Sequence, residues 1–370
     1  MYIGDMFSQK SRLTFIAILI FGLLGNLSAR AEIQTSERSL ILAKTIYGDI
    51  SPKSVRSSGT GFVSAHNMMY RHSVTIYNAE NFDLVETISD QVKLSDFGFK
   101  GYSGLHRGAP VEGAFSPDGR HLYVTNYAMY GKGFNREGTD VCKPADKYDR
   151  SFVYRIDTDS WKIDAAYRVG VVPKVVEVTP DNKFVLVTNW CSYDLSVISV
   201  DEQKVVKTLN IGAYPRGITV SQDSQYAYIA QMGGAVIHRV NLSTWEKDLL
   251  NIGSNPRALV LSPDNSTLYA TLNSSGRVVA FDLNSKKVVK TVKTGSAARS
   301  LDISADGTAL YVVNYMSDTV AKVRATDLKV LQKIKVCNEP IGITYEPLHK
   351  RVWVACYGGA VKVFSDSLSQ

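Results

Sequence analysis

A basic side chain returns in register along this chain, one residue after a proline or its equivalent: Lys53, Lys174, Arg216, Arg257 and Arg299. Val111 and Ile341 take the same place in two further copies. Five cations brought to one opening would repel each other unless something anionic sat among them. Such a set suits a carboxylate, a phosphate or a nucleic-acid backbone. The competing reading is structural, with each basic residue bonding backbone carbonyls or an acidic neighbour between repeat units. Glu112, Glu177 and Asp302 fall just beyond the basic positions, and Asn126, Asn189 and Asn314 close the strands that follow. That set could hold a divalent cation. The surrounding cations oppose it, so the carboxylates are expected to neutralise them and the amides to cap loops. Tyr127, Trp190, Tyr315 and Tyr357 follow the strand ends and could stack on bases or sugars. For the tyrosines, packing between units is the plainer role. Trp190, beside Cys191, is the better contact residue.

The spacing says what must position these residues. Between Pro173 and Pro340 the sequence repeats every 41 or 42 residues. Each copy is a loop ending in Pro-Arg or its variant, a short apolar run, an Asp-containing turn, and a strand closing on an amide or its substitute. A period near forty built of short strands and turns marks a propeller blade. Arg216–Val220, Tyr226–Ala230, Ala235–Asn241 and Lys247–Ile252 read as the four strands, a to d, of one blade. Blades open near residues 52, 110, 173, 215, 256, 298 and 340, which makes seven. The last lacks its strand d. Residues 40–48 resemble the strand d at 205–212, so the N-terminal strand is expected to complete that blade and remove two exposed sheet edges. The fold class is therefore all-β, a seven-bladed β-propeller of four-stranded blades in one domain, 32–370.

The first 31 residues carry a different signal. Lys10 and Arg12 precede an apolar run from Leu13 to Leu24, and Ala29-Arg30-Ala31 supplies small residues for cleavage. That is the layout of a secretory signal peptide, and the run is short for a span of about 20 residues. The expectation is an exported protein, periplasmic, secreted or at the cell surface, with no membrane span after cleavage. The net charge is +7, and removal of the leader would leave about +5. This mild basicity suits an anionic partner without demanding nucleic acid. Four cysteines follow the leader, Cys142, Cys191, Cys337 and Cys356. An even number in an oxidising compartment favours two disulfides. Their places in the repeat put Cys337 and Cys356 on one face of one blade, and Cys142 and Cys191 in corresponding loops of neighbouring blades. The pairing expected is 142–191 and 337–356.

Ser116-Pro117-Asp118-Gly119 followed by Leu122-Tyr123-Val124-Thr125-Asn126 resembles the signature of YVTN-repeat β-propellers, including the YncE-like exported ones. The likeness covers residues 40–370 and implies the propeller fold. It also implies single-stranded nucleic acid as one ligand, since YncE-like members are associated with it. More distant propellers of similar repeat are lactonases, which implies as one alternative a metal-dependent hydrolase using Glu112, Glu177 or Asp302; the family also spans surface antigens, which implies a surface scaffold or antigen as another.

In a propeller the d–a and b–c loops share one face. The two longest departures from the repeat both belong there: residues 89–109, with His106 and Arg107, and residues 127–151, with Cys142. Loops of about 20 residues in a compact domain are usually functional or disordered, and a disulfide from Cys142 would argue for order. Side by side they would form a partial lid over the channel mouth. Of the six histidines, only His66, His72 and His106 approach that face. The sequence holds no nucleophile elbow, phosphate loop or haem motif. The expectation is a non-enzymatic monomer without metal or cofactor. It would bind an anionic ligand, a protein or single-stranded nucleic acid through Lys53, Lys174, Arg216, Arg257, Arg299, Trp190, the three amides, His106 and Arg107.

Overall fold

Seven antiparallel four-stranded sheets, six running a–b–c–d along the chain and the seventh taking its strand d from the N-terminal end, make up the computed structural model, which describes residues 33–368. The leader expected at 1–31 lies outside the described residues. Strand a opens blade 1 at Ser54–Ser57, blade 2 at Pro110–Phe115, blade 3 at Pro173–Val178 and blade 4 at Pro215–Val220. It opens blade 5 at Pro256–Leu261, blade 6 at Ala298–Ile303 and blade 7 at Pro340–Glu346. All seven expected openings are found. Among the described residues no helix is long and apolar enough to cross a membrane.

The turn between strands a and b shows why the signature takes its form. Ser116 Oγ donates to Asp118 Oδ1 (2.5 Å) and accepts from the His121 N–H (3.0 Å), while Gly119 turns back onto Ser116 O. Thr179 with Asp181, Ser221 with Asp223, Ser262 with Asp264, and Ser304 with Asp306 repeat the hydroxyl-to-carboxylate bond. The fourth residue of each turn has a left-handed φ, at Gly119, Asn182, Ser224, Asn265 and Gly307. Glycine and asparagine tolerate that conformation best, which accounts for the Asp-Gly and Asp-Asn pairs.

The threonine that ends strand b stitches one blade to the next. Thr125 Oγ1 donates to the carbonyl of Lys174 (2.8 Å), and Thr188 Oγ1 to that of Arg216 (2.9 Å). Ser54 and Ser300, on strand a, reach the carbonyls of Val111 and Ile341 in the same way. These bonds fix the backbone of the residue one place after the proline, and so aim its side chain. The apolar core lies between blades. Ala114, Tyr123, Val153 and Tyr167 of blade 2 pack on Val176, Val178, Val185, Val187 and Ile198 of blade 3. Strand d stays largely exposed, as at Lys287–Lys293.

Ser39–Ile46 pairs antiparallel with Ala360–Ser367, from Ser39 opposite Ser367 to Ile46 opposite Val361, and supplies the missing strand d of blade 7. The expected closure is thus in place. A polar latch holds its beginning. Lys322 Nζ, fully buried, meets Asp366 Oδ1 at 2.5 Å and donates to the carbonyls of Thr35 (2.7 Å) and Arg38 (2.8 Å). Tyr311 donates to the other oxygen of Asp366, and Asp306 Oδ2 accepts the Thr35 N–H at 2.7 Å. Both expected disulfides form, Cys142–Cys191 with Cα atoms 5.4 Å apart and Cys337–Cys356 at 6.1 Å.

Candidate functional site

The mouth of the channel, on the face of the d–a and b–c loops, gathers the recurring cations. Strand a carries two inward tiers three residues apart, because a bulge shifts its register between them, as between Ala298 and Leu301. Arg216, Arg257 and Arg299 line the throat with Glu112, in a cavity of about 90 Å³. Lys174 stands beside them, its Nζ 3.0 Å from Asp140 Oδ1, 4.2 Å from the centre of the Tyr127 ring and 5.3 Å from that of Trp190. Arg216 Nη2 is 3.5 Å from Glu112 Oε1. The guanidinium of Arg299 sits over Tyr315, 3.6 Å from the ring centre, and Lys53 Nζ is 5.5 Å from that of Tyr357. The aromatics after strand b therefore seat cations rather than stand open.

Charge at the mouth is unbalanced. Among the described residues no carboxylate oxygen lies within 4 Å of Lys53, Arg257 or Arg299. Arg257 Nε donates to the Arg299 carbonyl (3.2 Å), while Arg299 Nε is buried without a hydrogen-bond partner. Burial, then repulsion from Arg216 and Arg299, pulls Arg257 well below the ordinary arginine range. Burial and four neighbouring cations do the same to Lys53, Arg216 foremost among them. Lys174 is lowered to about 7, by burial first and Arg216 next, against support from Asp140. A guanidinium stays protonated in a protein, so the depressed arginines register burial first and, at Arg257 and Arg299, the repulsion of neighbouring cations.

The lower tier differs. Arg56 Nη2 meets Glu177 Oε1 at 2.5 Å, and Asp302 Oδ2 accepts the Tyr345 N–H at 2.7 Å. Of the three carboxylates expected to neutralise the mouth, Glu112 does so. Glu177 is taken by Arg56, and Asp302 bonds backbone one tier down. Asp140, from the 127–151 loop, supplies the second counter-charge, a role the repeat could not reveal. Among the described residues no three His, Cys, Asp or Glu side chains converge on a metal site.

The long loops pack on each other. Gln91-Val92 pairs with His106-Arg107, Arg107 pairs with Tyr130, and Tyr102 stacks on Phe134 at 4.9 Å. His106 is buried among these rings with Nε2 3.0 Å from the Lys132 carbonyl, so it ties the loops together and does not face the mouth. Half-exposed Arg107 points to buried Asp90 at 4.0 Å. Trp190 donates its indole N–H to the Asp140 carbonyl (3.0 Å) and stacks on Tyr214 at 4.5 Å, which leaves its ring covered. Asn126, Asn189 and Asn314 are fully buried. They bond Phe152 O, the Gly170 N–H with Asp194 and Ser196, and Thr294 with Thr319. The amides cap loops inside the blades, away from the mouth. His66 is wedged between Ser54 and Gly113, and burial lowers it to about 3.

Comparison with known proteins bears mainly on the fold. A chain of Kuenenia stuttgartiensis hydrazine synthase superposes with a TM-score of 0.68, covering 90% of this chain and 100% of that one at 16% identity. Residues 256–352 match the family model described as cytochrome D1 heme domain. Antigen Lp49 of Leptospira interrogans is 30% identical over 155 residues, 39% of this chain. The match spans 33% of that protein's length. The family model names a haem, whose iron would need a protein ligand. The matched stretch has one histidine, His349, in the a–b turn of blade 7 on the opposite face, with Nδ1 3.0 Å from Glu346. Tyr315 is held on Arg299, and Cys337 is in a disulfide. These residues do not fit a haem.

Proposed function

We propose that this protein is an exported, non-enzymatic propeller that binds an anionic ligand, or an acidic group of a macromolecular partner, at its cationic mouth. The observation that carries the reading is the charge imbalance: five cations from five blades, with only Lys174 and Arg216 within 4 Å of a described carboxylate. Export is supported by the leader-like residues 1–31, by two disulfides and by the similarity to an antigen. The likeness to YVTN repeats rests on residues 116–126 and adds single-stranded nucleic acid as one ligand class. Because Trp190 is covered, a compact polyanion suits the mouth better than a stacked strand.

Titration with citrate, a small tricarboxylate, tests this. Binding should weaken as salt rises, since screening acts on charge attraction. It should also weaken as pH rises through about 7, where Lys174 loses its proton. Stability has the opposite sign. Lys174 is depressed in the folded state, so the unfolded chain binds more protons between about 7 and the ordinary lysine value, and stability rises with pH there. A Lys174→Gln variant should weaken both trends, leaving the share of Lys53, which is also depressed. Citrate binding indifferent to salt would contradict the reading.

A further inference from the structure

Glu112 stands in the arginine throat without a close partner. Arg216 Nη2 lies 3.5 Å from its Oε1, and among the described residues the carboxylate makes no other bond. If the throat served only to attract negative charge, a carboxylate there would work against it. The donors around it are unspent. Arg257 is buried, uses only Nε, toward the Arg299 carbonyl (3.2 Å), and leaves both Nη groups without a described partner. Arg299 Nε is buried with no hydrogen-bond partner among the described residues. Arg56 and Glu177 line the same cavity but cancel as a pair. Three guanidiniums against Glu112 therefore leave the throat a formal charge of +2.

A small dianion matches that charge. An ionised carboxylate only accepts hydrogen bonds, so the anion it suits has oxygens for the arginines and a proton to give. From this juxtaposition we infer that the throat selects hydrogen phosphate over anions of like size and charge that carry no proton, such as sulfate. The P–OH donates to Glu112, and the other oxygens accept from Arg216, Arg257 and Arg299. An amino acid could also pair with Glu112, but its ammonium would sit among guanidiniums; a P–OH brings its proton without added positive charge. The inference rests on the anion-binding reading and names the anion.

The test is displacement of citrate from the whole protein by phosphate, arsenate, sulfate and methyl phosphate. It is run at pH about 8, where phosphate and arsenate keep a proton and a phosphate monoester, with its second pKa about 6, does not. Phosphate and arsenate should bind about tenfold or more tighter than sulfate, the worth of one charge-assisted hydrogen bond. Methyl phosphate should follow sulfate, which separates free phosphate from phosphate carried on a larger molecule. Sulfate and selenate, though disfavoured, still enter at the concentrations of a crystal soak. Glu112→Gln keeps the size and offers an amide N–H, so it should weaken phosphate, strengthen sulfate and erase the preference. Equal binding of phosphate and sulfate by the unchanged protein would overturn the selection and leave the anion site standing. Methyl phosphate binding as tightly as phosphate, or a preference that survives Glu112→Gln, would overturn it as well. If citrate binds and phosphate does not displace it, the inference falls alone. If citrate itself does not bind, and none of the four anions does, both readings fall.

Discussion

Replacing Arg216 and Arg257 together by alanine is expected to weaken citrate binding about a hundredfold or more while leaving the melting temperature unchanged or raised. Each guanidinium offers charge-assisted hydrogen bonds worth about 1.5–3 kcal/mol. Two of them therefore account for at least about a hundredfold in affinity. The stability half discriminates between the two readings of a residue that recurs with the repeat. Were these arginines staples between blades, their loss would destabilise the fold. Arg257 makes one bond, to the Arg299 carbonyl, and is otherwise surrounded by repelling charge. Arg216 holds Glu112 at 3.5 Å, and that carboxylate remains partly open to solvent when the arginine is gone. Removing them relieves repulsion, the pattern expected where function is maintained against stability. Circular dichroism and thermal melting, run beside the citrate titration, give both halves. A variant that melts much earlier would return these residues to a structural role.

Asp366→Asn should destabilise the propeller by about 3–5 kcal/mol, the usual cost of leaving one member of a buried ion pair alone. Lys322 and Asp366 are both fully buried, and the ammonium also holds the Thr35 and Arg38 carbonyls. The asparagine keeps shape but leaves a buried positive charge without its counter-ion. The damage should be local at first. Residues 33–47 hold the ring shut by adding a strand to blade 7, so their amides should exchange early and proteases should cut there before elsewhere. Denaturant unfolding measures the energy, and hydrogen exchange locates it. Equal stability and unchanged exchange would show that strand pairing alone closes the ring.

The fold was legible because a repeat states its own rules several times. The Ser/Thr-x-Asp turn and the proline before strand a recur in most blades, and the stitching threonine in two, so one copy interprets another. Even the closure could be read, since residues 40–48 look like the strand that blade 7 lacks. The disulfides followed from position in the blade. The mouth was legible only in its cations. Their counter-charges come from places the repeat does not govern: Asp140 from an irregular loop, and Arg56, which takes Glu177, from the most degenerate blade. Arg56 could have been found as the residue two places after Ser54 on the inward side of strand a. The amides misled because Asn126, Asn189 and Asn314 recur for capping, a constraint of the same period as the site but directed inside the blade. His106 and Trp190 misled because aromatic and polar residues in long loops are needed first to bind the loops together.

The mouth itself is tested most directly by anomalous diffraction from crystals soaked in selenate, a divalent oxyanion. The expected result is one strong peak within hydrogen-bonding distance of Arg257 and Arg299, facing Lys53, that vanishes in the Arg216→Ala/Arg257→Ala variant. An open mouth with no peak there, while selenate occupies sites elsewhere on the surface, would contradict an anion-binding role for the five cations.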